Sequence, residues 1–277
     1  MFTVASGHTL TVVNAIENNS VVAGVDTFVV ENDAVLIQTS NAVNTGIVTV
    51  KRNSSSLFRQ DYTLWSSPVN GQNLRNFSPA TLFNRFSTYD TAAGTNGDYL
   101  QELFTTNDIN TKVFGEAKGY LIRMPNNWVE NINSNVAQPY LGKFSGTLNN
   151  GDITIGLSLA NTKFNLVGNP YASPISISAF FTANPNIEKT LYFWRKTNGA
   201  NASSGYATSN ELGTVSSSQT GTNGLNLFNT IKPGQGFFVK SNTATALSFN
   251  NGMRTNAGGA WCFKGNTSSD NVQRFWL

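Results

Sequence analysis

The chain has 277 residues, of which only 12% are charged, against roughly 25% in an average globular protein, while 39% are hydrophobic and 12% aromatic. Its 19 Phe, 8 Tyr and 5 Trp exclude a disordered chain, and a net charge of +3 from 18 basic and 15 acidic residues is too small for the dense basic face that nucleic acid requires. A single cysteine and a single histidine exclude an internal disulfide framework, a zinc site and a Ser-His-Asp or Cys-His apparatus.

The polar character comes instead from Ser, Thr, Gly and 38 Asn, residues that favour turns and are poor in helix interiors. No stretch approaches the roughly 18 apolar residues of a membrane span. The composition predicts an all-β, loop-rich protein of extracellular character. Residues 1–5 lack the basic and apolar regions of a signal peptide, and the last residues, Val272 to Leu277, stop on an apolar alternating pattern. Both ends are therefore expected to be cut from a longer protein.

In chain order, the first fifty residues are short β pulses at 8–13, 27–30, 34–39 and 46–50, with Asn18-Asn19, Asn32-Asp33 and Asn44-Thr45-Gly46 between them. Their spacing suits either a few coils of a β-solenoid or a meander. From residue 57 the chain is duplicated. Tyr62-Thr63-Leu64-Trp65-Ser66-Ser67-Pro68 returns as Phe164-Asn165-Leu166-Val167-Gly168-Asn169-Pro170, and Lys118-Gly119-Tyr120-Leu121-Ile122-Arg123 as Gln235-Gly236-Phe237-Phe238-Val239-Lys240. Leu148-Asn149-Asn150-Gly151 returns as Phe249-Asn250-Asn251-Gly252. Between these markers Arg85 to Asp90 answers Leu191 to Lys196.

Each copy reads as an aromatic strand ending at a proline, a second aromatic strand, a polar loop, and a third strand opened by a glycine where a large neighbour or a bulge needs the missing side chain. Asn-Asn-Gly reads as a tight hairpin turn. A short helix is expected only over 175–183. The predicted organisation is a solenoid-like or meander segment at 1–56, then antiparallel β-sandwich repeats at 57–160 and 161–277, or one joint sandwich over 57–277.

Residues 51–277 resemble a repeat region of large secreted and cell-surface proteins of flavobacteria and other Bacteroidetes. The resemblance is carried by Lys51-Arg52-Asn53, Asp61 to Val69, Lys118 to Pro125, Leu166 to Tyr171, Gly234 to Lys240 and Phe249 to Arg254. It implies export through the type IX secretion machinery of the outer membrane, reached by a C-terminal signal outside this chain, and it supplies no catalytic residues.

Chemistry has few footholds. Asp61, Asp90, Asp98, Glu102, Glu116 and Glu130 are the carboxylates from which a glycosidase pair would be drawn, but none lies in a motif. Trp128 and Tyr99 are the aromatics least explained by strand alternation. They are candidate sugar contacts, weighed against burial under a loop. Asp90-Thr91-Ala92 matches a short O-glycosylation pattern with Thr91 as acceptor. Asn107-Asp108 and Asn150-Gly151-Asp152 offer oxygens to calcium without a calcium-loop spacing. Cys262 reads as packing, His8 as a surface strand residue, and Lys51, Arg52 and Arg59 as a small basic cluster broken by serines. The reading is a non-catalytic structural or adhesive module without metal or cofactor, contacting surface polysaccharide or further copies of itself. The alternative is a polysaccharide-binding module attached to a secreted enzyme.

Overall fold

Short β-branched runs set between Asn and Gly turns stack in parallel at the N-terminus. In the computed structural model, which describes residues 1–20, 25–105, 109–128, 137–195, 205–210, 213–215 and 229–257, Phe2–Val4 pairs with Phe28–Val30, Thr9–Val12 with Val35–Gln38 and Glu17–Asn18 with Thr45–Gly46, all parallel. Phe2 lies opposite Phe28 and Thr9 opposite Val35, the same offset of 26 residues. These are two coils of a β-solenoid, and the meander is excluded because a meander pairs antiparallel. Inside the second coil two amides lock reciprocally. Gln38 Nε2 donates to Asn44 Oδ1 and Asn44 Nδ2 to Gln38 Oε1, both at 2.8 Å. Asn44 also accepts from the Ile16 N–H and donates to the Leu148 carbonyl, so buried Asn here replaces main-chain partners that a turning strand leaves unpaired.

A third coil opens with Val48–Leu57, whose Thr49 and Val50 pair in parallel with Val29 and Val30. The same strand continues antiparallel to Gln138–Leu148. One sheet thus passes from the solenoid into the duplicated part.

The two copies form matching sheets. The first has the order Asp98–Gln101, Phe86–Asp90, Tyr120–Arg123, Tyr62–Trp65; the second has Gly213–Val215, Gly205–Asn210, Ile187–Arg195, Gly236–Ser241, Phe164–Gly168. Register is conserved between them. Leu64 faces Leu121 as Leu166 faces Phe238, and Tyr89 faces Tyr99 as Trp194 faces Tyr206. Phe86 faces Ile122 as Leu191 faces Val239. The equivalent of Leu191 is therefore Phe86 and not Arg85, a correction of one residue to the expected alignment. Slipping by one would exchange the two faces of the strand.

Both sheets are apolar on both faces. Trp65, Phe86, Tyr120 and Ile122 pack against Val50 and Phe144 of the solenoid-derived sheet and against Phe77 beside it. Val167, Leu191, Phe193, Phe237 and Val239 pack against the helix Ile177–Ala183 and the strand pair Ile153–Gly156 with Ala246–Phe249. The remaining faces, with Leu64, Leu121, Leu166, Phe238 and their tyrosines, meet each other.

Two local expectations need correction. Asn149-Asn150-Gly151 does not close a hairpin, because Ile153–Gly156 pairs with Ala246–Phe249 rather than with the strand before it. That preceding strand, Gln138–Leu148, already has Val48–Leu57 and Val69–Asn70 as partners. Helix is also not confined to 175–183. Leu74–Phe77 forms a helical turn capped by Asn73, which accepts from the Asn76 N–H as Ser176 accepts from the Ala179 N–H before Ile177–Ala183. The duplication thus includes a capped turn in each copy.

Candidate functional site

The two repeats meet about a pseudo-twofold axis. Trp65 bridges Gln235, and the equivalent pair Val167 and Lys118 bridges in the same antiparallel manner. The Ser66 N–H donates to the Gly234 carbonyl at 2.9 Å and the Gly168 N–H to the Ala117 carbonyl at 2.8 Å. The strand-opening glycines belong to this contact. A Cβ on Gly119 would stand 2.7 Å from Leu166 Cγ, and one on Gly236 would stand 3.0 Å from Leu64 Cβ. Each repeat therefore leaves a side chain out where the other inserts a leucine, which is the large neighbour expected at that glycine.

Tyr99 sits on this axis. Its hydroxyl lies 3.0 Å from that of Tyr206, and its ring makes edge contacts with Tyr89 and Phe238 at 5.4 and 6.1 Å. Burial drives its phenol far above the ordinary range, and Tyr206 adds to the shift. Trp128 is half-buried at the end of Val48–Leu57, donating Nε1 to the Leu57 carbonyl and packing edge-on to Tyr140. The two candidate sugar contacts thus stand in different places, one between the repeats and one on the solenoid-derived sheet.

Thr91 is not available as a glycosylation acceptor in the folded chain. It is 5% exposed, and its Oγ1 donates to the Phe164 carbonyl of the other repeat at 2.6 Å. A three-residue pattern carries no information about the inter-repeat contact that covers it.

The carboxylates do not converge. Asp61 is buried in a turn and accepts from the Phe58 N–H. Glu102 pairs with Lys112 at 3.1 Å, and Glu116 is exposed. Asp90 and Asp98 face one another in register, yet each accepts from a main-chain N–H, of Ala92 and Tyr99 respectively, on an exposed sheet end. Among the described residues no three His, Cys, Asp or Glu side chains group closely enough to hold a metal ion. Asn150 gives its oxygen to Arg254, and Asp152 accepts from Asn41. His8 is exposed just before Thr9–Val12. Glu130, Asn107, Asp108 and Cys262 lie outside the described residues, as do 196–204 and the C-terminal 258–277.

Two features that the sequence reading passed over are cationic. Arg254 is 8% exposed and joins all three parts of the chain. It donates to Leu36 O in the solenoid, to Asn150 Oδ1 in the first repeat, and to Ser173 Oγ and Asn251 Oδ1 in the second, with its guanidinium 4.9 Å from the Tyr171 ring centroid. Burial lowers its pKa to about 10, so it stays charged at neutral pH. Near the same junction a narrow groove is lined by Arg52, Lys232, Trp65, Trp194 and Gln235. Arg52 there is ion-paired to Asp33 at 3.4 Å.

The second feature is Arg123, which ends the Tyr120–Arg123 strand opposite Tyr62. It is 6% exposed, yet its acceptors among the described residues are the neutral amides of Gln60 and Asn126, at 3.3 and 3.2 Å, and its Nε has none. Arg123 closes a marker motif, but only the cross-strand register shows what stands beside it.

The architecture defines a class: a short β-solenoid whose last coil runs into a pseudo-twofold pair of β-sheets. The chain belongs to the family described as a domain of unknown function, DUF8693, whose model matches residues 1–277. No curated protein and no solved structure matches it. Among the described residues no helix is long and apolar enough to cross a membrane.

Proposed function

We propose that this chain is a non-catalytic structural or adhesive module of an exported cell-surface protein, a substrate of the type IX secretion machinery. The observation that carries the reading is the strand Val48–Leu57, paired in parallel with the solenoid and antiparallel with Gln138–Leu148. Force applied along the coils passes into the repeats through a continuous ladder of main-chain hydrogen bonds, and Arg254 clamps the same junction with side-chain bonds to each part. A rigid, weakly charged, Asn-rich surface supports a role in holding or presenting at a cell exterior. The motifs resembling Bacteroidetes surface proteins support export.

The test is surface labelling of intact cells of the source organism with an antibody to this module, combined with attachment assays after its deletion. Labelling together with lost attachment or self-association is expected. A module reached by antibody only after lysis sinks the reading.

A second reading, a polysaccharide-binding module, is favoured by the groove whose lining includes the half-buried Trp194. A partly exposed indole suits the apolar face of a sugar ring. Retention on a glycan array, lost on Trp194→Ala in a chain that still folds, is its expected result.

A further inference from the structure

An asparagine side chain is open to attack by the main-chain nitrogen that follows it, most of all when that nitrogen belongs to glycine, which has no side chain to block the approach. Four Asn-Gly pairs stand among the described residues, at 70–71, 96–97, 150–151 and 251–252. The dipeptide is the same in each, so the difference between them lies in how the fold holds the amide.

Asn150 and Asn251 are held at both ends. The Nδ2 of each donates to the Ser40 carbonyl, at 2.8 and 2.9 Å, and the Oδ1 of each accepts from Arg254 Nη1, at 2.9 and 3.0 Å. Asn150 adds a bond to the Ala42 carbonyl and Asn251 one to Asn41 Oδ1. Attack requires the Asn Cγ to swing onto the next nitrogen. Here that swing breaks these bonds and leaves the buried Arg254 short of acceptors. Asn70 and Asn96 are exposed, and among the described residues their side-chain amides make no hydrogen bond.

We propose that Asn70 and Asn96 are sites of spontaneous covalent modification, converted in the folded protein to aspartate and isoaspartate, while the Arg254 clamp keeps Asn150 and Asn251 as amides. At Asn96 the Gly97 nitrogen attacks Cγ, the new N–Cγ bond closes a succinimide, and the Cγ–Nδ2 bond breaks. Ammonia leaves with the proton that the Gly97 nitrogen gives up. Water then opens the ring. Cleavage at Cγ gives aspartate, and cleavage at the main-chain carbonyl carbon gives isoaspartate. No other reactant is consumed.

The product at Asn96 acts on the contact between the repeats. The Asn96 main-chain carbonyl accepts from the Tyr89 hydroxyl at 3.0 Å and from Thr162 Oγ1 of the second repeat at 2.9 Å. Asn161, also of the second repeat, donates to the Thr91 and Gly94 carbonyls of the same loop. Isoaspartate runs the main chain through its Cβ, and the longer backbone draws the Asn96 carbonyl off its donors. The new carboxylate also joins Asp90 and Asp98, which already face one another, and like charges so placed repel. Modification therefore loosens the rim on which the first repeat's loop rests against the second.

The test incubates the full folded chain at mildly alkaline pH, beside the same chain in urea, and follows all four asparagines by peptide mapping with fragmentation that separates isoaspartate from aspartate. In the folded chain Asn70 and Asn96 are expected to convert at least about tenfold faster than Asn150 and Asn251, the effect of hydrogen bonds that must first be given up. In urea the four should convert at similar rates. Hydrogen exchange of the aged protein should rise at 91–97 and 161–164. Asn96→Gln, an exposed change whose longer side chain closes the corresponding ring far more slowly, should abolish that rise. Equal rates at the four sites in the folded chain overturn the proposal. So does survival of Asn70 and Asn96 as amides while the chain in urea loses them. Conversion of Asn96 with unchanged exchange at 91–97 overturns the loosening of the rim.

Discussion

Tyr99 and Tyr206, equivalent residues of the two repeats, meet hydroxyl to hydroxyl at 3.0 Å. A position that meets its own equivalent marks the axis of a twofold arrangement, and here both halves belong to one chain. The edge contacts of Tyr89, Tyr99 and Tyr206 with Phe238 surround that hydrogen bond with apolar rings.

Tyr99→Phe and Tyr206→Phe should each lower unfolding stability by about 1 kcal/mol, the net worth of one hydrogen bond in a covered site. Because each substitution removes the same bond, the double variant should cost clearly less than the sum. Urea unfolding of the four proteins checks this, and strict additivity would show that the hydroxyls do not interact.

Gly119→Ala forces a methyl against Leu166 and the Val167 carbonyl of the opposite repeat. Such overpacking costs about 1–3 kcal/mol. Gly156→Ala, where an added Cβ meets nothing within 4 Å, serves as the control and should be neutral or slightly stabilising. Equal effects of the two changes would remove the glycine–leucine contact as an organiser of the interface.

Arg254→Met leaves the Leu36 carbonyl and the side-chain oxygens of Asn150, Asn251 and Ser173 without their donor. The expected loss is about 3 kcal/mol or more. Arg254→Lys should recover little of it, because an ammonium cannot reach partners spread around a planar fork. Hydrogen exchange should accelerate first at residues 34–40 of the solenoid. Unchanged protection there would place the junction's strength elsewhere.

Alkaline pH should unfold the protein from a defined threshold. Burial pushes the Tyr120 phenol up to about 12, and it raises Tyr140, Tyr171 and Tyr206 as well. Phenols of the unfolded chain ionise near pH ~10. A folded pKa above the unfolded one contributes stability that is complete below about pH 10 and is lost as pH rises toward the folded value. The urea midpoint should therefore show no tyrosine-linked fall below about pH 10 and should decline between about 10 and 12. A midpoint that holds steady to pH 12 contradicts this.

What the amino-acid pattern determined by itself is what depends on near neighbours. Alternating aromatic and aliphatic residues specified strands, and Asn-rich composition specified turns. The recurrence of Leu64 as Leu166 and of Tyr120 as Phe237 specified two equivalent sheets, whose register the structure repeats. The runs Leu64-Trp65 and Phe237-Phe238-Val239 also carried a signal that went unread. Apolar residues on both sides of a strand mean a sheet covered on both faces, and these sheets are.

Tertiary structure alone decided partners. A run of Val and Thr pairs as readily in parallel coils as in a meander, since both bury one face, and only the distant neighbour chosen by Phe2 or Thr9 separates them. Thr91 lost its hydroxyl to a carbonyl seventy-three residues away, and Asn149-Asn150-Gly151 lost its hairpin to strands already occupied. Arg123 acquired its neighbours across the sheet. Periodicity reports which face of a strand is apolar, but the element that covers that face is fixed by packing between segments far apart in the chain.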